Sequence, residues 1–209
     1  MAQSADTIRL VELVCARMCH DLGGLIGTVG NALELVTEDA VQGNEIFAFA
    51  STAAKVLVQR LRLIRAAWGP ETEAITKPAL LAMVTPTLAS RHIELDTRTL
   101  APDGVFPAAT GRVALNLILL AGDCLPKGGT IRLLGRTADL LVRIEGPDAA
   151  WPSGLIACLQ DETKAVAALT SARSMQMPLT VLLAAQGGLS LSPVLGSTSG
   201  IEALRLVTP

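Results

Sequence analysis

The segment Met18-Cys19-His20-Asp21-Leu22-Gly23-Gly24 holds the residues best suited to chemistry, and His20 is one of only two histidines, the other being His92. A neutral imidazole titrates near pH 6.5, so one ring nitrogen can attack phosphorus at cell pH without a strong base. Asp21 is placed either to hold the other ring N–H or to form a general-base contact in a complex; an ordinary helix carboxylate is the alternative for this residue. Phosphoryl transfer through a loose transition state needs positioning and charge compensation more than catalytic apparatus. A partner that brings its own acidic pocket and Mg²⁺ therefore requires of the histidine only that it be exposed on a rigid surface. The competing reading of a lone histidine is a surface residue without a role.

The neighbours of His20 favour chemistry. On a helix advancing about 100° per residue, His20 points away from the stripe Met18–Leu22–Leu25. Gly23, Gly24 and Gly27 lie within two turns on the same outward side, with Asn31 below and Ala16 and Arg17 above. Glycine inside a helix costs roughly 0.5–1 kcal/mol against alanine, and close approach by another backbone is the usual reason to retain it. Glycine-lined packing against a neighbouring helix is the alternative. On the second helix, Lys55, Gln59 and Arg62 share a face opposite Leu57 and Leu61, readable either as a solvated stripe or as a docking rim for an acidic partner.

Two helices position these residues. Val11, Val14, Met18, Leu22, Leu25, Val29, Leu33 and Val36 recur at steps of three or four, as an amphipathic helix requires. The polar stretch Thr37–Asn44 breaks the rhythm, which resumes from Ile46 through Leu57, Leu61 and Ile64 to Trp68 and stops at Gly69-Pro70. This predicts an antiparallel hairpin. Phe47, Ala54, Val58, Leu10 and Ile26 lie beside the main stripes, and a homodimer that pairs two hairpins into a four-helix bundle would bury them.

After Pro70 the rhythm changes. Helices are predicted over 78–89, 111–125 and 174–186, the last capped by Gly187-Gly188, and strands over 92–97, 131–136, 140–145, 189–194 and 201–207. Helices alternating with strand hairpins imply one mixed sheet with helices over one face. The fold class is therefore α+β: a helical hairpin over residues 1–70 and an α/β sandwich over residues 71–209.

Composition excludes several functions. A net charge of -2 gives no pull toward nucleic acid, and three Phe, two Trp and no Tyr leave no stacking platform for single strands. The start of the chain has no secretory pattern, and the apolar run Val113–Ala121 is too short to span a bilayer. Cys15, Cys19, Cys124 and Cys158 have no paired metal spacing. No metal, no membrane and a cytoplasmic location are expected, with free thiols.

The order of an exposed His-Asp on a hairpin and an α/β sandwich resembles sensor histidine kinases. V-A-L-N-L-I-L-L-A-G-D-C-L-P-K-G-G-T-I, residues 113–131, looks like the kinase N box and its following turn; M-P-L-T-V-L-L-A-A-Q-G-G-L-S-L-S, residues 177–192, looks like the last helix and strand of the kinase ATP domain. The nucleotide-binding residues are missing. Asn116 stands at the first N-box asparagine, but Leu120 occupies the Mg²⁺-binding position. Residues 143–148 read R-I-E-G-P-D without a D-x-G-x-G spacing, and Ser174–Pro178 contains no glycine with which to cradle phosphate.

This combination resembles the alphaproteobacterial histidine phosphotransferase family (ChpT-like), with A-R-M-C-H-D at the histidine helix and R-A-A-W-G-P at the end of the second. Leu25 departs from the kinase pattern, in which a proline follows the histidine by five residues. The resemblance implies a homodimer that accepts a phosphoryl group on His20 from the receiver domain of a hybrid kinase. It then passes the group to receivers of cell-cycle regulators, with Mg²⁺ on the receiver, no cofactor of its own and no ATP. The alternatives are an ATP-dependent kinase fragment, against which the missing glycines count, and a non-catalytic dimeric scaffold, which would not need His20.

Overall fold

The computed structural model describes residues 2–35, 40–71, 73–102, 104–196 and 200–208, with side chains of 2–4 and 40–43 left aside. Two long helices, α1 (Ala2–Glu34) and α2 (Ala40–Trp68), form the hairpin. Then follow β1 (Ile75–Thr76), α3 (Lys77–Ala89), β2 (Ile93–Asp96), β3 (Val105–Phe106), α4 (Ala108–Asp123), β4 (Gly129–Arg136), β5 (Asp139–Glu145), α5 (Leu155–Gln160), α6 (Glu162–Ala167), α7 (Gln176–Gln186), β6 (Ser190–Leu195) and β7 (Ile201–Val207).

The expected mixed sheet is present, in the order β2-β4-β5-β7-β6, with β2 and β4 parallel and the other pairs antiparallel. A separate pair, β1 with β3, joins the start of α3 to that of α4. Ile131, Leu133, Leu140, Val142, Leu204 and Leu206 alternate onto one face and are fully buried under the helices. The other face is charged: Arg132 and Arg143 lie opposite each other, and Glu145 bonds both, at 3.0 and 3.2 Å.

Helix α4 is the centre of the core. Val113, Ala114, Leu115, Leu117, Ile118, Leu120 and Ala121 are all buried, so every side of the helix packs on something: α2 and α3, α7 and the sheet. The turn after it needs its glycine. Gly128 has φ +78°, and a Cβ there would lie 2.6 Å from the carbonyl oxygen of His92.

Several expectations are corrected. Val36, the last residue of the expected α1 stripe, and residues 37–39 of the expected polar break lie outside the described residues, while 40–44 already belong to α2. Helices α5 and α6 and strands β1 and β3 were not read from the sequence; each is at most six residues long, too short to show a period. The α1 stripe is not one seam. Met18, Leu22, Leu25 and Val29 are half-buried, whereas Val11 and Leu33 are exposed, as are Ile26, Phe47, Val58 and Leu61. A stripe at steps of three and four spans more than 100° of the helix surface, wider than one partner helix covers. Leu10, expected beside the dimer stripe, packs against the sandwich core with Leu13 and Val14. Ala54 is half-buried.

Candidate functional site

Helix α1 runs unbroken through Leu25, as the lack of a proline there predicts. It presents His20 with 83% of its side chain exposed and tucks Asp21, one residue and about 100° further round, inward to 8%. Asp21 Oδ1 lies 3.3 Å from His20 Nδ1. The tautomer that donates Nδ1–H to Asp21 leaves the lone pair on Nε2, the ring atom farther from the backbone.

Two arginines hold Asp21. Arg60 Nη2 of α2 donates to Oδ2 at 2.6 Å, and Arg17 Nε, one turn back on α1, donates to Oδ1 at 3.2 Å. Burial by itself would push the Asp21 carboxyl up; Arg60, then Arg17 and the hydrogen bonds outweigh it and hold the group below its ordinary value. Arg60 Nη1 also donates to Thr87 Oγ1 of α3, at 3.0 Å.

The sandwich forms the other wall. Arg17 Nη1 donates to the carbonyls of Ala172 and Arg173 at 3.4 and 3.5 Å, and Arg9 Nε donates to the carbonyl of Leu169. These bonds tie α1 to the segment leading into α7. Arg91 Nη1 and Asp123 Oδ1 pair at 2.9 Å. His20 thus stands at the edge of a cleft of about 670 Å³ whose sandwich side carries Arg91, Asp123 and Arg173. On its other flank a groove of about 320 Å³ runs past Val56 and Gln59 of α2 to Pro86, Thr87 and Ser90 of α3.

The remaining sequence candidates divide. A Cβ built on Gly23, Gly24 or Gly27 meets nothing within 4 Å, so the flank of α1 beside His20 is bare, with Asn31 exposed on it. Gln59 lines the smaller groove; Lys55 and Arg62 are exposed and line neither cleft. Arg17 faces inward, committed to Asp21 and the sandwich. Arg60, Arg91, Asp123 and Arg173 were missed. Arg60 left a signal: Ala53, Leu57, Arg60, Ile64 and Ala67 step by four and three along the inward face of α2, and an arginine in an apolar stripe calls for a buried acid.

The cysteines offer no competing nucleophile inside the fold. Burial, with Asp123 adding to it, pushes the Cys124 thiol up to about 12, and burial raises Cys158. Among the described residues no group of three His, Cys, Asp or Glu side chains could hold a metal, and no helix is long and apolar enough to cross a membrane. Leu120 is buried in the core, Asp148 pairs with Lys127 at 2.6 Å, and residues 172–175 form a turn in which the Ala172 and Arg173 carbonyls accept from Arg17.

The open flank sets an expected result. Gly24→Arg and Gly27→Arg should leave the melting temperature at or above the parent value, since arginine improves on glycine in a helix by up to about 1 kcal/mol and the space is free. Both should block a partner's approach to His20. Melting temperature, solution mass and transfer rate on the same variants decide it; early melting or dissociation would place the glycines inside an interface.

Comparison with known proteins gives four matches. The family profile described as "Histidine phosphotransferase C-terminal domain" matches residues 70–198. The protein phosphotransferase ChpT of Brucella abortus (strain 2308) is 24% identical over 194 residues, covering 90% of each chain. Among solved structures, a bacterial phosphotransferase superposes with a TM-score of 0.69 at 22% identity over 95% of both chains. The cytoplasmic segment of the histidine kinase QseC gives 0.41 at 14% identity, over 76% of this chain and 93% of that one.

Proposed function

The chain belongs to the histidine phosphotransferase C-terminal domain family, and from that membership we propose that it is a histidine phosphotransferase of a bacterial phosphorelay. Nε2 of His20 accepts a phosphoryl group from the aspartate of one receiver domain and gives it to the aspartate of another, with Mg²⁺ supplied by the receiver. The observation that carries this reading is the pairing of an 83% exposed imidazole with a buried carboxylate that is itself locked by Arg60 and Arg17. A carboxylate held below its ordinary value is a poor proton acceptor, so Asp21 acts by orienting the ring and compensating charge on it. In this reading Gly23, Gly24, Gly27 and Asn31 receive the partner, with Lys55, Gln59 and Arg62 as an outer rim.

Residues 1–70 form the phosphotransfer and dimerisation unit and residues 71–209 the degenerate ATPase-like unit. The exposed apolar side chains Val11, Ile26 and Leu33 on α1, with Phe47, Val58 and Leu61 on α2, support a second copy as their cover. The result is a dimeric four-helix bundle working in the cytoplasm, with no nucleic acid or membrane involved.

The deciding experiment is to mix the chain with a phosphorylated receiver domain and look for acid-labile phosphate on His20. Its complete absence at every receiver tried, with the receiver's own phosphate shown intact, would leave the scaffold reading in its place.

The buried Leu120 and the glycine-free turn into α7 support transfer without ATP. Mg-ATP at millimolar concentration should not raise the melting temperature. A ligand at 100 times its Kd adds about 2.7 kcal/mol, which a thermal scan resolves, and such a rise would revive the kinase reading.

A further inference from the structure

A buried polar network lies where the hairpin meets the sandwich, directly beneath the His20 site. Asn116, in the middle of α4, has no exposure at all. Its Nδ2 donates to the carbonyl of Ala67 at 2.7 Å and to that of Arg112 at 2.9 Å. Ala67 belongs to the last turn of α2, whose carbonyls have no partner within the helix. A side chain of the sandwich therefore completes the hydrogen bonding of the hairpin. Arg112 Nε reaches the same carbonyl at 3.4 Å.

Gln176 of α7 backs the contact. It is 2% exposed, and its Nε2 donates to Asn116 Oδ1 at 2.9 Å, which fixes the Asn116 amide with its donor side toward α2. Thr180 Oγ1 donates to the carbonyl of Gln176 at 2.6 Å. Gln176 also lines a small cavity, of about 10 Å³, whose wall includes Asp21, Arg60 and Trp68. Gln176 Oε1 and Trp68 Nε1 are both buried without a hydrogen-bond partner. One side chain thus touches the junction with Ala67 and the cavity under the carboxylate that orients His20.

We propose that Asn116, backed by Gln176, is a positioning residue: it clamps the end of α2 to the sandwich and so sets His20 at a fixed distance from Arg91, Asp123 and Arg173. The proposal rests on the phosphotransferase reading. The Asn116 and Gln176 amides join the hairpin to the sandwich, together with the Arg9 and Arg17 bonds to residues 169–173 and the Arg60 bond to Thr87. A receiver that must touch α1 and the sandwich at once then meets a preformed cleft, whereas a small phosphodonor needs only His20 and Asp21, which are neighbours on α1.

The test compares two phosphodonors on the full chain. Asn116→Leu keeps the branched shape and removes the donor to Ala67; Gln176→Met removes the brace alone and decides the matter if the first variant does not fold. In the folded variants, phosphorylation of His20 by phosphoramidate should stay within about twofold of the parent. Transfer from a phosphorylated receiver should fall at least tenfold, chiefly through a raised KM, and protease cleavage between residues 69 and 74 should quicken. Parent-like transfer from the receiver in both variants would overturn the proposal, as would equal loss with both donors, which marks a merely structural role. A parent chain that takes no phosphate from any receiver, yet reacts with phosphoramidate, would instead overturn the reading on which the proposal stands.

Discussion

His20→Gln removes phosphoryl acceptance entirely and leaves the fold as it was. The imidazole is 83% exposed and its polar contact is Asp21 at 3.3 Å, so the substitution creates no cavity. Glutamine is at least as good a helix former as histidine, and Asp21 keeps both arginines. The melting free energy should stay within about 0.5 kcal/mol of the parent, the range of ordinary surface changes, and the solution mass should not move. Phosphate transfer should be undetectable by an assay for acid-labile phosphate. The matched control is His92→Asn. His92 sits in the turn before β2 with φ +57°, a conformation asparagine tolerates, and this variant should transfer at the parent rate. Transfer by the His20 variant, or loss in the His92 variant, would remove the assignment.

Asp21→Ala should strongly destabilise the hairpin. It leaves Arg60 and Arg17, each with 18% of its side chain exposed, facing each other without their shared anion. Loss of one partner from such a mostly buried set costs about 2–4 kcal/mol, a fall in Tm of about 4–16 °C for a domain of this size. Transfer should fall about tenfold or more, because Nδ1 loses its acceptor and the ring its orientation. The acid side gives a second readout. The folded Asp21 carboxyl titrates below its ordinary value of 3.8, so its contribution is complete above that value and is lost as pH falls through the lower folded one. Asp21→Asn removes this acid-side loss. Its stability should therefore converge on that of the parent as the pH drops below 3.8, and a constant gap down to acid pH would contradict the ion-pair account.

Much of this was legible because period and punctuation carry far in helices. His20 on the outer face of α1, the stop at Gly69-Pro70 and the strands of the charged sheet face all follow from residue spacing. The short elements did not, since α5, α6, β1 and β3 depend on tertiary packing. The electrostatics of the site were legible only in part. The local pair His20–Asp21 is adjacent in sequence, but Arg60 comes from the other helix and Arg91, Asp123 and Arg173 from the sandwich. Lys55 and Arg62 drew attention as charges on a face, whereas the informative charge was Arg60 inside an apolar rhythm. Leu10 was misassigned because helix periodicity says which face is apolar and not which of two neighbours covers it.

The bare flank of α1 has a kinetic consequence. The hairpin offers one imidazole and one open track beside it, so under the proposed function a receiver that delivers phosphate and a receiver that collects it could not occupy the same His20 together. A carrier built this way works by a ping-pong scheme, with discharge of the first partner before entry of the second. Spent donor and waiting acceptor then compete for one face, and the flux through the protein depends on the ratio of the two as much as on the rate of either transfer.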